Sequence, residues 1–600
     1  MFCVMLAFAV LIARLFHLQV LEGEEFRRLS ENNCVRRHSI DAPRGLIFDR
    51  RGRLLVDNRP SFDLSIILRD AGPVSRTIEK LARYAGVPAG ELRTKIRGES
   101  SYKQILLRRD IGRDALAVIE AHKFDLPGVI VETRQKRHYI RKESAAHITG
   151  YLGEINSDEL GKMKNLYRAG DFVGKFGVEK AFESSLRGKR GGRQVEVNAR
   201  GQVVRVMGSE DARPGHNIYL TIDQELQKKT ESLIEGVAAS AVAMEPSTGH
   251  ILAMASNPSF DPNAFVNGMS HEEWNGIISN PFRPMENKAI QGEYPPASAY
   301  KIVTSVAGLE ERVIDENTSY FCPGYYQYGD RIFRCWKKTG HGTCNVVKAL
   351  AVSCDVFFYQ VGQKLGVDRL AKYAKLFGLG SLTGIRLDNE DAGLIPTSAW
   401  KKRHLGVPWQ GGETLSVAIG QGYNLATPLQ MLVLTAAVFN GGTLCRPRIL
   451  RDAETAEGEK IVHEGEKETG QLRVRKRTMN IVRRGLWEVV NSGRGTAKIA
   501  RVNGIRIWGK TGTAQVISRK KNDTGRRKNR SLFSKAHAWF VAYAKTKAED
   551  HQIAVSVIVE HGEHGSGTAA PIAREMIKYY MGLPDSADDS ARSHGAGSEG

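Results

Sequence analysis

Ser298 and Lys301 stand three residues apart in "QGEYPPASAYKIVT", which begins at Gln291. On a helix, positions i and i+3 share a face. Pro295 and Pro296 end any helix arriving from upstream and suit the first turn of a new one. The spacing therefore predicts that Ser298 opens a helix and that Lys301 lies beside it one turn on. A serine hydroxyl is a weak nucleophile until a base takes its proton, and a neutral lysine amine is such a base. S-x-x-K also occurs by chance on many surfaces, so the pair acquires meaning only from further residues.

Two later stretches supply them: S-C-D, Ser353 to Asp355, in "ALAVSCDVFFYQVG", and K-T-G-T, Lys510 to Thr513, in "IRIWGKTGTAQV". S-x-x-K, then S-x-N or S-D-N, then K-T-G, in that order, resembles the motif set of penicillin-binding proteins and related β-lactamases. The chemistry reads piece by piece. Lys301 must be neutral to act as base, and burial with a second cation nearby lowers a lysine pKa. Lys510 is a candidate for that cation, and also for binding a substrate's terminal carboxylate with Thr511 or Thr513. Gly512, in an apparent strand, permits close approach of another backbone, which suits a peptide lying along a sheet edge. Ser353 can relay a proton between Lys301 and a leaving amine.

The resemblance extends over nearly the whole chain and is to the class B penicillin-binding proteins, specifically their elongation type. "RGLIFDRRG" and "GKFGVEK" look like that family's N-terminal pedestal motifs. "GHNIYLTIDQELQ", "SVAIGQGYNLATPLQM", "GKTGTAQ" and "HAWFVAYA" look like its transpeptidase domain. No E-D-x-x-F glycosyltransferase signature precedes them, which argues against the bifunctional class A enzymes. The resemblance implies an α+β fold: a transpeptidase domain of the penicillin-binding-protein and serine β-lactamase type, with an antiparallel sheet, flanking helices and a helical subdomain. That domain would stand on an elongated, mixed α/β, dimerisation-like pedestal behind a transmembrane helix. The resemblance also implies D,D-transpeptidation of peptidoglycan stem peptides. Ser298 would attack the D-Ala-D-Ala bond and release D-Ala, an amine on another strand would resolve the acyl-enzyme, and penicillin and other β-lactams would acylate the same serine. The oxyanion hole would be the backbone N–H groups of Ser298 and Thr513. Implied partners are a polytopic glycan polymerase and other elongation-complex proteins. Asp355 departs from the general pattern, which has Asn. A carboxylate raises the pKa of a nearby lysine, the wrong direction for a base. The elongation type is similar to this sequence in having Asp here, so Asp355 stays among the site residues.

A second constellation lies between the first two motifs: Cys322, Cys335, His341, Cys344 and Cys354, from a chain with seven cysteines. Three thiolates and one imidazole make a closed tetrahedral zinc site. If the Ser353–Asp355 stretch is extended, alternate residues face opposite ways, with Ser353 and Asp355 toward the cleft and Cys354 toward the metal. Some elongation-type proteins resemble this with Asp, Asp, His and Cys at matching places, which carries one structural zinc onto Cys322, Cys335, His341 and Cys354 and leaves Cys344 over. A disulfide is the rival in an oxidising compartment, and buried free thiols are the third possibility.

The elements that must position these residues follow from pattern. The chain begins "MFCVMLAFAVLIARLFHLQVL". This run is close to the ~20 residues a membrane span needs and lacks both a basic leader and a small-x-small cleavage site. Residues 1–21 are therefore expected to be an uncleaved inner-membrane anchor, with everything after them in the periplasm. Residues 22–215 read as the pedestal, with a head subdomain at about 71–150. Near 216 the texture changes, and 216–583 reads as the transpeptidase domain, with strands, then helices, then strands, so that one sheet draws on both ends. The tail 584–600 is small and polar and expected to be disordered. The formal charge of +21 fits a surface facing anionic lipid. Without a zinc-finger array, an RNP motif or a helical basic region, no nucleic-acid partner is expected. The basic loop Arg519 to Arg530 reads as solvated, and Trp508 and Trp539 as packing. A β-lactamase or D,D-carboxypeptidase of the same fold would not need some 200 residues between anchor and catalytic domain, and a non-catalytic scaffold would not need both lysines.

Overall fold

A computed structural model describes residues 1–24, 35–101, 104–163, 166–197, 203–461, 470–515, 535–547 and 551–583. The basic loop 519–530 and the tail 584–600 lie outside the described residues.

The first element is the helix Phe2–Phe16, which runs on through a π-turn to Leu21. Its Val4–Leu21 stretch is long and apolar enough to cross a membrane, and none of it is buried in the protein. It is consistent with a single-pass membrane anchor, because so much exposed apolar surface requires a cover.

The pedestal is built on one long strand. Leu54–Ile67 forms a hairpin with Ile47–Phe48 and pairs antiparallel with both Val129–Tyr139 and Gln104–Arg108. Its outer half carries the head, where Val74–Ala85, Ala89–Ile96 and Gly112–Ala121 pack around Leu64, Ile78, Leu81, Leu92 and Leu107. Its inner half rests on a buried ion network. Glu179 is wholly buried and accepts from Arg44 Nε at 2.7 Å and Arg137 Nε at 2.6 Å, while Glu183 accepts from Arg44 Nη2 at 2.6 Å. Arg44 opens "RGLIFDRRG" and Glu179 sits in "GKFGVEK", so the two pedestal motifs are the halves of one charge pairing. Asp49, in the first motif, caps its turn by accepting from the N–H groups of Arg51 and Arg53.

The sheet does not stop where the sequence texture changes. Asn217–Leu220 pairs parallel with Ile47–Phe48 and antiparallel with Leu450–Glu454. One apolar core holds Ile47, Val56 and Tyr139 together with Ile218, Met254 and Leu429. Pedestal and catalytic region are thus joined by backbone pairing and shared burial.

The catalytic sheet has the order Ile251–Asn257, Ala239–Met244, Gln552–Val559, His537–Thr546, Ile505–Ala514, with every neighbouring pair antiparallel. Strands from both ends of the region lie side by side, and K-T-G-T occupies an edge. One face is covered by Gln224–Leu233 and Ala569–Tyr580, the other by the apolar helix Pro428–Phe439. A helical subdomain contains Val346–Ala351, Asp355–Leu365, Val367–Leu376 and Gly411–Ala418. The Gly- and Cys-rich segment before it forms two small ribbons: Tyr320–Cys322 with Gly342–Cys344, and Tyr325–Tyr328 with Arg331–Arg334.

Candidate active site

The segment around Ser298 is held from three sides. Ser298 lies in a 3-10 turn, Ala297–Tyr300, and the α-helix proper starts at Lys301. Side chains at i and i+3 eclipse in a 3-10 turn, which puts the pair on one face, but the hydrogen bonds of Lys301 Nζ go to Ser353 and Asp355 and not to Ser298. Ala297 has φ +49° and donates its N–H to Gly420 O at 2.8 Å. A Cβ at Gly420 would lie 2.1 Å from Ala297 O, so glycine there lets the two backbones touch. Trp539, fully buried in the strand beside K-T-G-T, donates its indole N–H to Pro295 O at 3.0 Å. A Cβ at Gly512 would meet Pro296 O at 3.3 Å and Trp539 Cβ at 2.9 Å. The close approach that Gly512 permits is therefore to the turn that carries Ser298. Ser298 itself is partly exposed.

Lys301 is fully buried in the helix Lys301–Glu310. Its Nζ donates to Asp355 Oδ1 at 2.7 Å, Ser353 O at 3.0 Å and Ser353 Oγ at 3.2 Å. It also lies 5.4 Å from the Phe358 ring centroid, a favourable cation–π geometry. Lys510, equally buried, donates to Ser353 Oγ at 2.9 Å and to Thr511 O at 3.0 Å. The Ser353 hydroxyl is thus shared by two lysines. Burial first, and the Lys301 charge second, push Lys510 well below the usual lysine range, while Asp355 opposes the shift. The sequence reading had made Lys510 the cation that lowers Lys301. In the structure Lys510 is itself depressed, and Asp355 pairs with Lys301 directly.

Ser353 has φ +52°, a left-handed conformation rare outside glycine. Cys354 then caps the helix Asp355–Leu365. The expected division of Ser353 and Asp355 from Cys354 exists, but a left-handed turn into a helix produces it instead of an extended strand.

K-T-G-T belongs to a strand that, among the described residues, is an edge strand paired with His537–Thr546 alone. Its open side presents backbone groups to which an extended peptide can add. Two residues without an assigned role in the sequence reading support it. Thr496 Oγ1 lies 3.0 Å from Thr511 Oγ1, and Gln421 Nε2 donates to Thr513 O at 3.0 Å. Gln421 lies within the family-like stretch "SVAIGQGYNLATPLQM". Nothing in the local pattern around Thr496 marks it.

The cysteine cluster lies directly behind Ser353. Ligand atoms of Cys322, Cys335, His341 and Cys354 all fall within 4.8 Å of one another, so these residues could hold a metal ion. His341 Nδ1 is 3.5 Å from Cys335 Sγ and 3.7 Å from Cys322 Sγ. Contact with Cys354, then burial, push the Cys335 thiol up to about 12. Cys344 is buried beside the group without belonging to it. All five described cysteines with assigned side chains are free thiols, with no disulfide among them.

A buried Lys-Ser-Lys array behind a serine turn, bordered by an open sheet edge, defines an acyl-transfer site of the penicillin-binding type. The chain belongs to this family: residues 239–578 match the penicillin-binding protein transpeptidase domain and 39–220 the penicillin-binding protein dimerisation domain. It is 35% identical over 590 residues to the peptidoglycan D,D-transpeptidase MrdA of Haemophilus influenzae, covering 96% of this chain and 90% of that one. Among solved structures it resembles the Helicobacter pylori penicillin-binding protein PBP2 in its complex with MreC, at TM-score 0.79 and 28% identity, covering 91% of this chain and 99% of that one. It also resembles a chain of a peptidoglycan synthase complex described as coordinating polymerization and crosslinking, at TM-score 0.71, 32% identity and 98% of each chain.

Proposed function

We infer that this chain is a peptidoglycan D,D-transpeptidase that cross-links stem peptides during cell elongation through an acyl-enzyme on Ser298. The observation that carries the mechanism is the Ser353 hydroxyl lying between Lys301 Nζ and Lys510 Nζ, behind the serine turn. Ser298 Oγ attacks the carbonyl between the two D-Ala residues, and its proton passes to the lysine side of the site. The C–N bond breaks, the departing D-Ala amine takes a proton by way of Ser353, and the acyl group stays on Ser298. An amine from a second strand then attacks the ester and restores the serine. The donor stem lies along the open edge of Ile505–Ala514, with Thr511 and Thr513 toward its carboxylate and the Ser298 and Thr513 N–H groups as oxyanion donors. A β-lactam enters the same site, and its acyl-serine product is resolved slowly.

The anchor places the catalytic region in the periplasm on the inner membrane. The pedestal binds a polytopic glycan polymerase and other elongation proteins. The MreC complex of the H. pylori relative and the synthase complex support this reading. Zinc is the cofactor we propose for Cys322, Cys335, His341 and Cys354. Zn–S bonds of about 2.3 Å and Zn–N bonds of about 2.0 Å in a tetrahedron would put sulfur and nitrogen about 3.5 Å apart. The observed separations of 3.5 and 3.7 Å fit. Its role there is structural, neutralising the thiolates and tying the ribbon loop to the start of Asp355–Leu365.

Ser298→Ala tests the reading. The variant should lose covalent labelling by a fluorescent penicillin, seen by gel and by intact mass, and keep its thermal stability. Undiminished labelling at another residue would overturn the assignment.

A further inference from the structure

Trp336 is the residue after Cys335, and its side chain is 59% exposed. An indole that open is not filling a core. Its hydrogen bonds converge on the second motif. The backbone N–H donates to Asp355 Oδ2 at 3.0 Å, and Nε1 donates to Val352 O at 3.0 Å and Ser353 O at 3.1 Å. Asp355 Oδ1 and Ser353 O are also acceptors for Lys301 Nζ. Trp336 and Lys301 therefore grip the same carboxylate and the same carbonyl.

The grip falls on a stressed piece of backbone. Ser353 holds φ +52° without glycine's freedom, and such a conformation persists only where its surroundings over-determine it. The carbonyls on either side of that φ are Val352 O and Ser353 O, and the indole N–H bridges both. The turn's other ties are Ser353 N to Leu350 O at 3.2 Å and Cys354 N to Ala349 O at 2.9 Å, within its own helix. The bridge from Trp336 and the bonds from Lys301 and Lys510 come from outside it. The ring's other neighbour is His341, 5.3 Å between centroids and tilted by 55°.

We propose that Trp336 is a positioning residue for acyl transfer: its indole N–H locks the left-handed turn at Ser353, keeping the Ser353 hydroxyl between Lys301 and Lys510. This rests on the acyl-serine reading above. The exposed ring supplies the donor from outside the core, so losing the donor changes the turn more than it changes packing.

The test separates binding from chemistry in the acylation of full-length protein by benzylpenicillin. Trp336→Phe keeps an aromatic ring and the backbone N–H but lacks the donor. The acylation rate constant should fall about tenfold or more, while the concentration for half-saturation and the melting temperature stay near wild type. A general loss of structure would move all three. If Trp336→Phe does not fold, position 336 can carry benzothienylalanine, the indole isostere with sulfur in place of N–H, and the same selective fall is expected. A native rate constant in either variant overturns the proposal. So does a loss confined to half-saturation, which would make the ring a ligand contact. Wild-type protein that benzylpenicillin does not acylate would instead refute the acyl-serine reading.

Discussion

Two lysines share one hydroxyl at this site, and their environments differ. Lys301 has a carboxylate at 2.7 Å, and Lys510 has none among its hydrogen-bond partners. The consequence for Lys510 can be worked out in sign. Its folded pKa lies well below the ordinary 10.5. Over the interval between the two values the unfolded chain binds a proton that the folded chain does not, so burial of this lysine costs stability at lower pH, and the cost fades as pH rises past about 10.5. Lys510→Met should therefore lose penicillin acylation by about 100-fold or more yet melt no lower than wild type at neutral pH. Its stability advantage should shrink toward pH 10. Melting curves at the two pH values check this, and a lower melting temperature at neutral pH would show that the bonds of Lys510 to Ser353 and Thr511 outweigh its desolvation.

Cys354 ends one element and opens another. It stands between two site residues while its sulfur joins Cys322, Cys335 and His341. A metal held there closes the ribbon loop onto the helix Asp355–Leu365, and its binding energy becomes folding energy for that loop. Purified protein should contain about one zinc per chain. Cys354→Ser should lower metal content and melting temperature together and slow acylation by up to about 100-fold, the loss that a misplacement of about 1 Å can cause. Cys344→Ser should do none of these. Metal analysis, melting and penicillin labelling measure the three effects, and a metal-free protein with Cys322 linked to Cys335 would replace the zinc site with the disulfide.

At the scale of the whole molecule, the pedestal meets the catalytic region through backbone pairing at Asn217–Leu220 and through a common apolar core. Its own buried ion network centres on Glu179 between Arg44 and Arg137. Removing the carboxylate leaves the buried Arg137 guanidinium without its counter-charge, while Arg44 keeps Glu183, a loss of about 3–5 kcal/mol for a pair broken in this way. Glu179→Ala should show that loss in denaturant unfolding of the full chain. The folded fraction should acylate at the native rate, because the Lys-Ser-Lys array is built from the catalytic region alone. A proportionate fall in the acylation rate would give the pedestal a part in the chemistry.

The order of the three motifs, the strand around "KTGT", the N-terminal apolar helix and the candidate metal donors were legible in the sequence. Each is a local pattern of spacing, alternation or composition, and such patterns report on neighbours along the chain. Edge position for K-T-G-T, the sheet that runs across residue 216, the left-handed turn at Ser353 and the indole that spans it depend on residues far apart in sequence. The division of labour between the lysines is the clearest case. Both look alike in sequence. Folding buries both, but it brings Asp355 to Lys301 and leaves Lys510 hydrogen-bonded to a hydroxyl and a carbonyl, and the cost of a buried charge depends on what stands beside it.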